Sequence, residues 1–152
     1  MLARILQAVR RRVSGHARDR LEATWLPLRD FERMSLPAAP ALTVICDDGE
    51  LKDLDIVETL DRAGAKGVFA VSPDLIGRPG FLTYEQLRTI RAAGHEIAFH
   101  GATHDPFTGF AGPEALTAAV QKGLARMENE GLGRARTLIY PYGSTNRWVR
   151  QA

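Results

Sequence analysis

From residue 41 onward, the chain alternates between short apolar runs and longer stretches with helical periodicity. The apolar runs predict strands at 41–46, 68–71, 95–99 and 136–140, and the stretches between them predict helices at 53–63, 84–93 and 113–130. A final helix is expected from near Thr145 onward. Strand–helix alternation with short connections is typical of a parallel sheet or barrel, so we predict an α/β fold with about four parallel strands and flanking helices.

The first 40 residues follow another pattern. Apolar side chains recur there at helical spacing with arginines between them, which predicts an amphipathic helix over 2–14 and a second helical stretch over about 16–24. The proline-rich segment 36–40 reads as a stiff linker, because residues before proline favour extended geometry. We therefore expect a basic helical leader over 1–40 and one domain over 41–152.

Charge is unevenly distributed along the chain of 152 residues. The net charge is +2 overall, +4 over residues 1–36 and −2 over residues 37–152. A basic leader can contact an anionic membrane surface or nucleic acid, but acidic residues recur after position 18 and favour a solvated helix. We expect no nucleic-acid partner and keep a weak membrane-surface contact through residues 2–14 as an alternative. The oligomeric state stays open.

The cysteine count and the apolar runs limit the compartment. Cys46 is the only cysteine and cannot form an internal disulfide, so no oxidising compartment is implied. No run approaches the ~20 apolar residues of a membrane span, and Arg4 together with 10–12 interrupts any signal-peptide core. We expect a location in the cytoplasm or at the inner face of the membrane.

Three polar clusters follow predicted strands, at 47–49, 100–104 and 140–143. Reactive side chains gather at the carboxyl ends of barrel strands, which suggests one site. Asp47 and Asp48 repel each other after an apolar strand, and a cation would neutralise that repulsion. His100 and His104 can reach one ion, and three N or O ligands plus water are typical of catalytic zinc. Alone, each cluster also fits a turn or a capping pair; together they indicate a metal-dependent hydrolase.

The three clusters resemble the motifs of the polysaccharide deacetylase (NodB-homology) family, also called carbohydrate esterase family 4. Residues 45–49 match its first motif, with Asp-Asp-Gly retained, and His100-Gly101-Ala102-Thr103-His104 matches its second. Pro141-Tyr142-Gly143 matches the end of its third, and residues 92–97 resemble the segment before the second. The resemblance covers about 41–152 and implies a partial (β/α) barrel of the NodB-homology type.

The resemblance also implies residue roles. Asp47 would be the general base, Asp48, His100 and His104 would hold a divalent metal, and the backbone N–H of Tyr142 would help to bind the oxyanion. Zinc is the first expectation for the metal, with cobalt or a similar ion as the alternative. The implied activity is hydrolysis of N-acetyl or O-acetyl groups on a carbohydrate that contains N-acetylglucosamine.

The chain departs from the family pattern in three places. Cys46 replaces an aromatic residue and is interpreted as a small buried hydrophobe. Ile139 stands where many members carry an arginine that orients the base. The late motif that supplies a histidine acid has no counterpart, and His95 would lie about 16 Å from His100 along one strand. We therefore expect a truncated domain, part of a longer protein.

Three rival interpretations remain. The chain could be a non-catalytic remnant that binds a glycan or a metal. A magnesium-dependent phosphoryl-transfer enzyme is less favoured, because paired histidines suit zinc-like metals and no phosphate loop of glycines is present. The third is a peripheral membrane module led by residues 2–14.

Overall fold

The protein forms a mixed sheet with helices packed against it. The structure, a computed structural model, describes residues 4–9, 22–27 and 42–152. In that part of the chain the sheet has the strand order β2-β1-β3-β4-β5. The strands are β1 (Arg4–Val9), β2 (Glu22–Pro27), β3 (Leu42–Cys46), β4 (Gly67–Val71) and β5 (Glu96–Phe99). β3, β4 and β5 are parallel, as expected for the α/β class, whereas β1 is antiparallel to both of its neighbours.

Three helices connect or follow the parallel strands: α1 (Asp53–Arg62), α2 (Tyr84–Ala92) and α3 (Pro113–Asn129). Their bounds confirm the three predicted helices. Thr83 begins α2 with a capping box, in which its side chain accepts from the Gln86 N–H at 3.2 Å while the Gln86 side chain accepts from the Thr83 N–H at 2.8 Å. Two short 3₁₀ turns, Phe107–Gly109 and Pro141–Gly143, lie in the loops that carry the second and third polar clusters.

The prediction of helices over 2–14 and about 16–24 is wrong wherever the structure describes this region. Both Arg4–Val9 and Glu22–Pro27 are strands, and β1 pairs with β3 in a register that places Ile5 opposite Cys46. A short apolar run fits a helix and a strand about equally well. Pairing with β3 decides the outcome, because it satisfies backbone groups of β3 that would otherwise form an open edge. Residues 10–21 and 28–41, including the predicted linker, lie outside the described residues, and the division at residue 40 stays a prediction.

The fourth parallel strand, expected over 136–140, is present only as a bridge between Phe99 and Leu138. The Phe99 N–H donates to the Thr137 carbonyl at 3.0 Å, and the Ile139 N–H donates to the Phe99 carbonyl at 2.9 Å. Pro141 follows at once and has no N–H for a longer ladder. Three parallel strands and this bridge form the partial barrel.

The helix expected from Thr145 is also wrong, because residues 147–151 form turns. The side chain of Asn146 accepts from the Val149 N–H at 2.9 Å. Such local side-chain bonds compete with the helical ladder and favour a turn.

The core lies between the sheet and the helices. Phe69 and Phe99 are fully buried at its centre, and Cys46 is buried at 1% exposure, as predicted for a small apolar side chain. α3 approaches β5 so closely that a Cβ at Gly123 would lie 2.6 Å from the Phe99 ring. Glycine is therefore required for this contact. Within the described residues, no helix is both long and apolar enough to cross a membrane.

Candidate metal centre

The predicted site residues come together at the carboxyl ends of the parallel strands. Asp47 and Asp48 follow β3 directly, and His100 follows β5. Asp48 Oδ1 is 2.8 Å from His104 Nε2 and 3.4 Å from His100 Nε2. One ligand atom from each of Asp48, His100 and His104 lies within 4.8 Å of the others. The three side chains predicted to share a cation are thus close enough to do so.

Backbone strain is concentrated at the same place. Among the described residues, the non-glycine residues with positive φ are Asp48 at 77°, His104 at 66° and Tyr142 at 59°. Aspartate and histidine tolerate this left-handed region better than most residues, whereas a tyrosine there is unusual. Each such residue costs of order 1–3 kcal/mol and persists only where its surroundings hold it. Strain at these three residues is typical of a functional site.

His100 is held in one orientation by backbone groups. It is 1% exposed, and its Nδ1 lies 2.9 Å from the carbonyl oxygen of Ile139. A carbonyl oxygen only accepts, so Nδ1 carries the proton and the lone pair of Nε2 points toward Asp48. A metal-binding histidine commonly donates its other N–H in this way, which fixes the tautomer and raises its basicity.

His104 is held by its neighbours on both faces. Its ring centroid lies 4.8 Å from that of His100 and 4.7 Å from that of Tyr142. The neighbouring Asp48 carboxylate raises the pKa of His104, with burial acting in the opposite direction. Tyr142 is itself 74% exposed, so its ring contacts His104 from the solvent side.

The two neighbouring carboxylates are shifted in opposite directions. The imidazoles of His100 and His104 lower the pKa of Asp48. Burial first, and repulsion from Asp48 second, raise the pKa of Asp47. Two titratable groups whose surroundings separate their pKa values are the usual arrangement for a division between a ligand and an acid–base group.

The donor set fits a divalent cation. Asp48 Oδ1 is buried and makes no well-aligned hydrogen bond in the described part of the chain, although two imidazole nitrogens lie near it. The donor atoms that surround a bound cation are arranged in this way, close together but not hydrogen-bonded to one another. Zinc bonds of about 2.0–2.1 Å in a tetrahedron separate ligand atoms by roughly 3.4 Å, and Asp48 Oδ1 lies 3.4 and 2.8 Å from the two imidazole nitrogens. Two imidazoles and one carboxylate also suit zinc-like metals better than magnesium.

Sequence analysis missed two features of this site. The Ile139 carbonyl that orients His100 has no signal in the sequence, because any residue offers the same backbone group. Asp53, at the start of α1, is only 2% exposed, and its Oδ2 has no partner within the described residues. Burial, followed by Glu50 and Asp47, raises the pKa of Asp53.

An α/β fold with polar loops at the carboxyl ends of its parallel strands and a candidate cation site there defines the class of this protein. The family model for polysaccharide deacetylases matches residues 38–152. The chain therefore belongs to the polysaccharide deacetylase family. No curated protein matches it significantly.

Solved structures share the fold at low sequence identity. The Streptococcus pyogenes deacetylase PplD, solved with acetate, is 20% identical at a TM-score of 0.69, over 83% of this chain and 58% of that one. The Bacillus subtilis peptidoglycan deacetylase PdaC is 20% identical at a TM-score of 0.59, over 70% and 52%. A Clostridium thermocellum acetyl xylan esterase, solved with a cobalt ion, is 18% identical at 0.58, over 70% and 51%. The chain thus spans little more than half the length of these proteins.

Proposed function

We propose that the protein containing this chain is a metal-dependent hydrolase that removes N-acetyl or O-acetyl groups from a carbohydrate. The substrate class we propose is a polysaccharide or oligosaccharide that contains N-acetylglucosamine. The observation that carries the proposal is the convergence of donor atoms from Asp48, His100 and His104 within 4.8 Å at the strand ends of a deacetylase-family fold.

Asp48, His100 and His104 would hold the cation, with zinc as the proposed metal and cobalt as an alternative. The cation, when bound, supplies Lewis acidity to the acyl carbonyl and acidifies a water molecule. The Ile139 carbonyl keeps the His100 ring oriented for this role through Nδ1. Support for a metal also comes from the cobalt ion in the acetyl xylan esterase.

Asp47 is the proposed general base. It lies beside Asp48 without belonging to the trio of donors, and burial raises its pKa toward the range in which a carboxylate accepts protons efficiently. It would take a proton from the attacking water. The backbone N–H of Tyr142, held in a strained turn, would donate to the oxyanion that forms. The products would be acetate and a free amine or hydroxyl group on the sugar.

A non-catalytic protein that binds glycan or metal is the alternative, and one observation favours it. Within the described residues the remaining histidine, His95, sits at the far end of β5, and its Nδ1 already accepts from the Gly67 N–H at 3.1 Å. At ~3.3 Å per residue, it lies about 16 Å from His100. No described histidine is therefore placed to protonate a departing amine.

The test is acetate release by the natural full-length protein, loaded with zinc or cobalt. We expect acetate from an N-acetylated chito-oligosaccharide at a higher rate than from an acetylated xylo-oligosaccharide, and none after removal of the metal with a chelator. Metal binding without acetate release from either substrate would favour the non-catalytic alternative. Failure to bind metal would contradict the proposed hydrolase and leave only a glycan-binding form of the alternative.

A further inference from the structure

A second concave site lies at the opposite rim of the sheet from the candidate metal centre. It is a cavity of about 820 Å³ between the end of α2, the start of β5 and the segment 132–136. Small-molecule sites usually occupy 300–1,000 Å³. Arg91, Arg134, Arg136 and Glu96 are the charged side chains in its lining. The sequence analysis assigned no role to any of them.

The three arginines outnumber the one carboxylate, Glu96, in the lining of this cavity. Within the described residues, no salt bridge or side-chain hydrogen bond involves any of them, although Arg62 and Arg126 on the same molecule do have carboxylate partners. Like charges in one cavity repel each other. An anion bound between them would relieve it.

The backbone positions these guanidinium groups. The Arg91 side chain lies against Gly133, where a Cβ would stand 2.7 Å from its terminal nitrogen and where φ is +70°. Arg134 and Arg136 are exposed and flank the half-buried Ala135, as side chains do on one face of an extended segment. Arg91 therefore lies against the backbone at Gly133, and the alternating exposure places the other two arginines on one face of the segment.

Glu96 adds a carboxylate to the lining of the cavity. Its Oε1 is buried and has no hydrogen-bond partner within the described residues, and it forms no ion pair with the arginines beside it. A buried carboxylate oxygen without a donor is costly. A ligand with a hydroxyl group next to its anionic group would supply that donor.

We propose that this cavity binds a phosphate ester that carries a hydroxyl group, the chemistry of a sugar phosphate. The arginines would hold the phosphate, because the planar guanidinium fork matches phosphate oxygens. Glu96 would accept from the hydroxyl group. Three positive charges and one negative charge give a net charge of +2, which a phosphate dianion neutralises. The cavity lies about 16 Å from His100 along β5, and the proposal does not depend on the function of the metal centre.

The test is calorimetric titration of the chelator-treated protein, so that no cation at the other rim binds phosphate. The probes are inorganic phosphate, glucose 6-phosphate and glucose. We expect glucose 6-phosphate to bind more tightly than phosphate, and glucose not to bind. The double variant Arg134→Gln, Arg136→Gln should lose at least about tenfold in affinity for both anions, since hydrogen bonds to charged groups are worth this much.

Arg62→Gln is the control outside the cavity: it removes one positive charge where the double variant removes two, and it should change the affinity less than about twofold. Equal losses in this control and in the double variant would overturn the proposal, as would the absence of phosphate binding by the unaltered protein. Thermal unfolding checks that the variants are folded. Arg134→Lys, which keeps the charge but not the fork, should give an intermediate loss.

Glu96→Gln distinguishes a site that recognises the hydroxyl group from a cluster of positive charges that binds any phosphate. Inorganic phosphate should bind this variant more tightly, because a repulsive charge is removed, whereas the advantage of glucose 6-phosphate over phosphate should shrink. If that advantage is unchanged, Glu96 does not read the hydroxyl group and the assignment to a hydroxylated ester is wrong.

Discussion

His95 and His100 lie at opposite ends of β5, are both buried, and each face one carboxylate. His95 Nε2 is 3.3 Å from Asp61 Oδ1, and His100 Nε2 is 3.4 Å from Asp48 Oδ1. They differ at Nδ1. The Gly67 N–H donates to His95 Nδ1 at 3.1 Å, whereas His100 Nδ1 donates to the Ile139 carbonyl at 2.9 Å. The neutral ring of His95 therefore carries its proton on Nε2, and His100 keeps a lone pair there.

The carboxylates beside the two histidines differ as well. Asp61 is already paired with Lys66, whose Nζ lies 2.6 Å from its Oδ1. Asp48 instead has Asp47 as a neighbour and a second imidazole, His104, at 2.8 Å. The same residue type near the same kind of group thus gives a structural hydrogen bond at one rim and a candidate cation ligand at the other. Backbone partners and local charge make that difference, not the histidine itself.

The largest expected effect is on metal binding. His100→Gln should lower zinc affinity by more than about a hundredfold. Replacing even a residue that only hydrogen-bonds to a metal ligand lowers metal affinity 10–100-fold. His95→Gln should leave zinc affinity within about twofold, since its Nε2 faces a compensated carboxylate. Competition with a chromogenic chelator measures both. Equal zinc affinities for the two variants would show that His95 and His100 do not differ in their contribution to metal binding.

The next effect is on catalysis. Asp47→Asn should retain bound zinc and lose about 10²–10⁴-fold in acetate release by the natural protein, because the amide cannot accept the proton. Asp55→Asn, an exposed aspartate on α1, is the matched control and should keep full activity. Activity of Asp47→Asn close to that of the unaltered protein would refute the assignment of Asp47 as the base.

The structural histidine should matter for stability instead. His95→Leu should lower the free energy of unfolding by about 1–3 kcal/mol, because it leaves the buried Gly67 N–H without an acceptor. His95→Gln can still offer an oxygen to that N–H and should recover part of the loss. Urea unfolding of the chelator-treated proteins measures both values. A Leu variant as stable as the Gln variant would show that the hydrogen bond contributes nothing.

The smallest effect is a dependence of that stability on pH. Burial lowers the pKa of His95 from its usual value, with Asp61 opposing the shift and Lys66 adding to it. The unfolded chain then binds a proton below about pH 6.5 that the folded protein does not, so stability is lost as the pH falls toward the folded pKa. The stability difference between the unaltered protein and His95→Gln should be greatest near pH 8 and shrink toward pH 5.5. A difference that grows on acidification would contradict the direction of this shift.

Local patterns in the sequence predicted the three helices after residue 41 well. The helical period is a property of neighbouring residues, and the helices that it predicted are present. The same reasoning failed for 4–9 and 22–27, because a short apolar run becomes a strand only when another strand offers its edge. It also failed at 136–140, where one bridge to Phe99 replaces a strand.

The sequence by itself determined which donors this protein has and in what order they follow the strands: a pair of aspartates, two histidines four residues apart, and a Pro-Tyr-Gly turn. Only the tertiary structure decided that Asp48 meets imidazoles more than 50 residues away, and that the Ile139 carbonyl leaves His100 Nε2 free while Gly67 occupies Nδ1 of His95. The reason is physical. A side chain carries its chemistry in its own atoms, but its protonation and its partners are set by backbone groups that packing brings from distant parts of the chain.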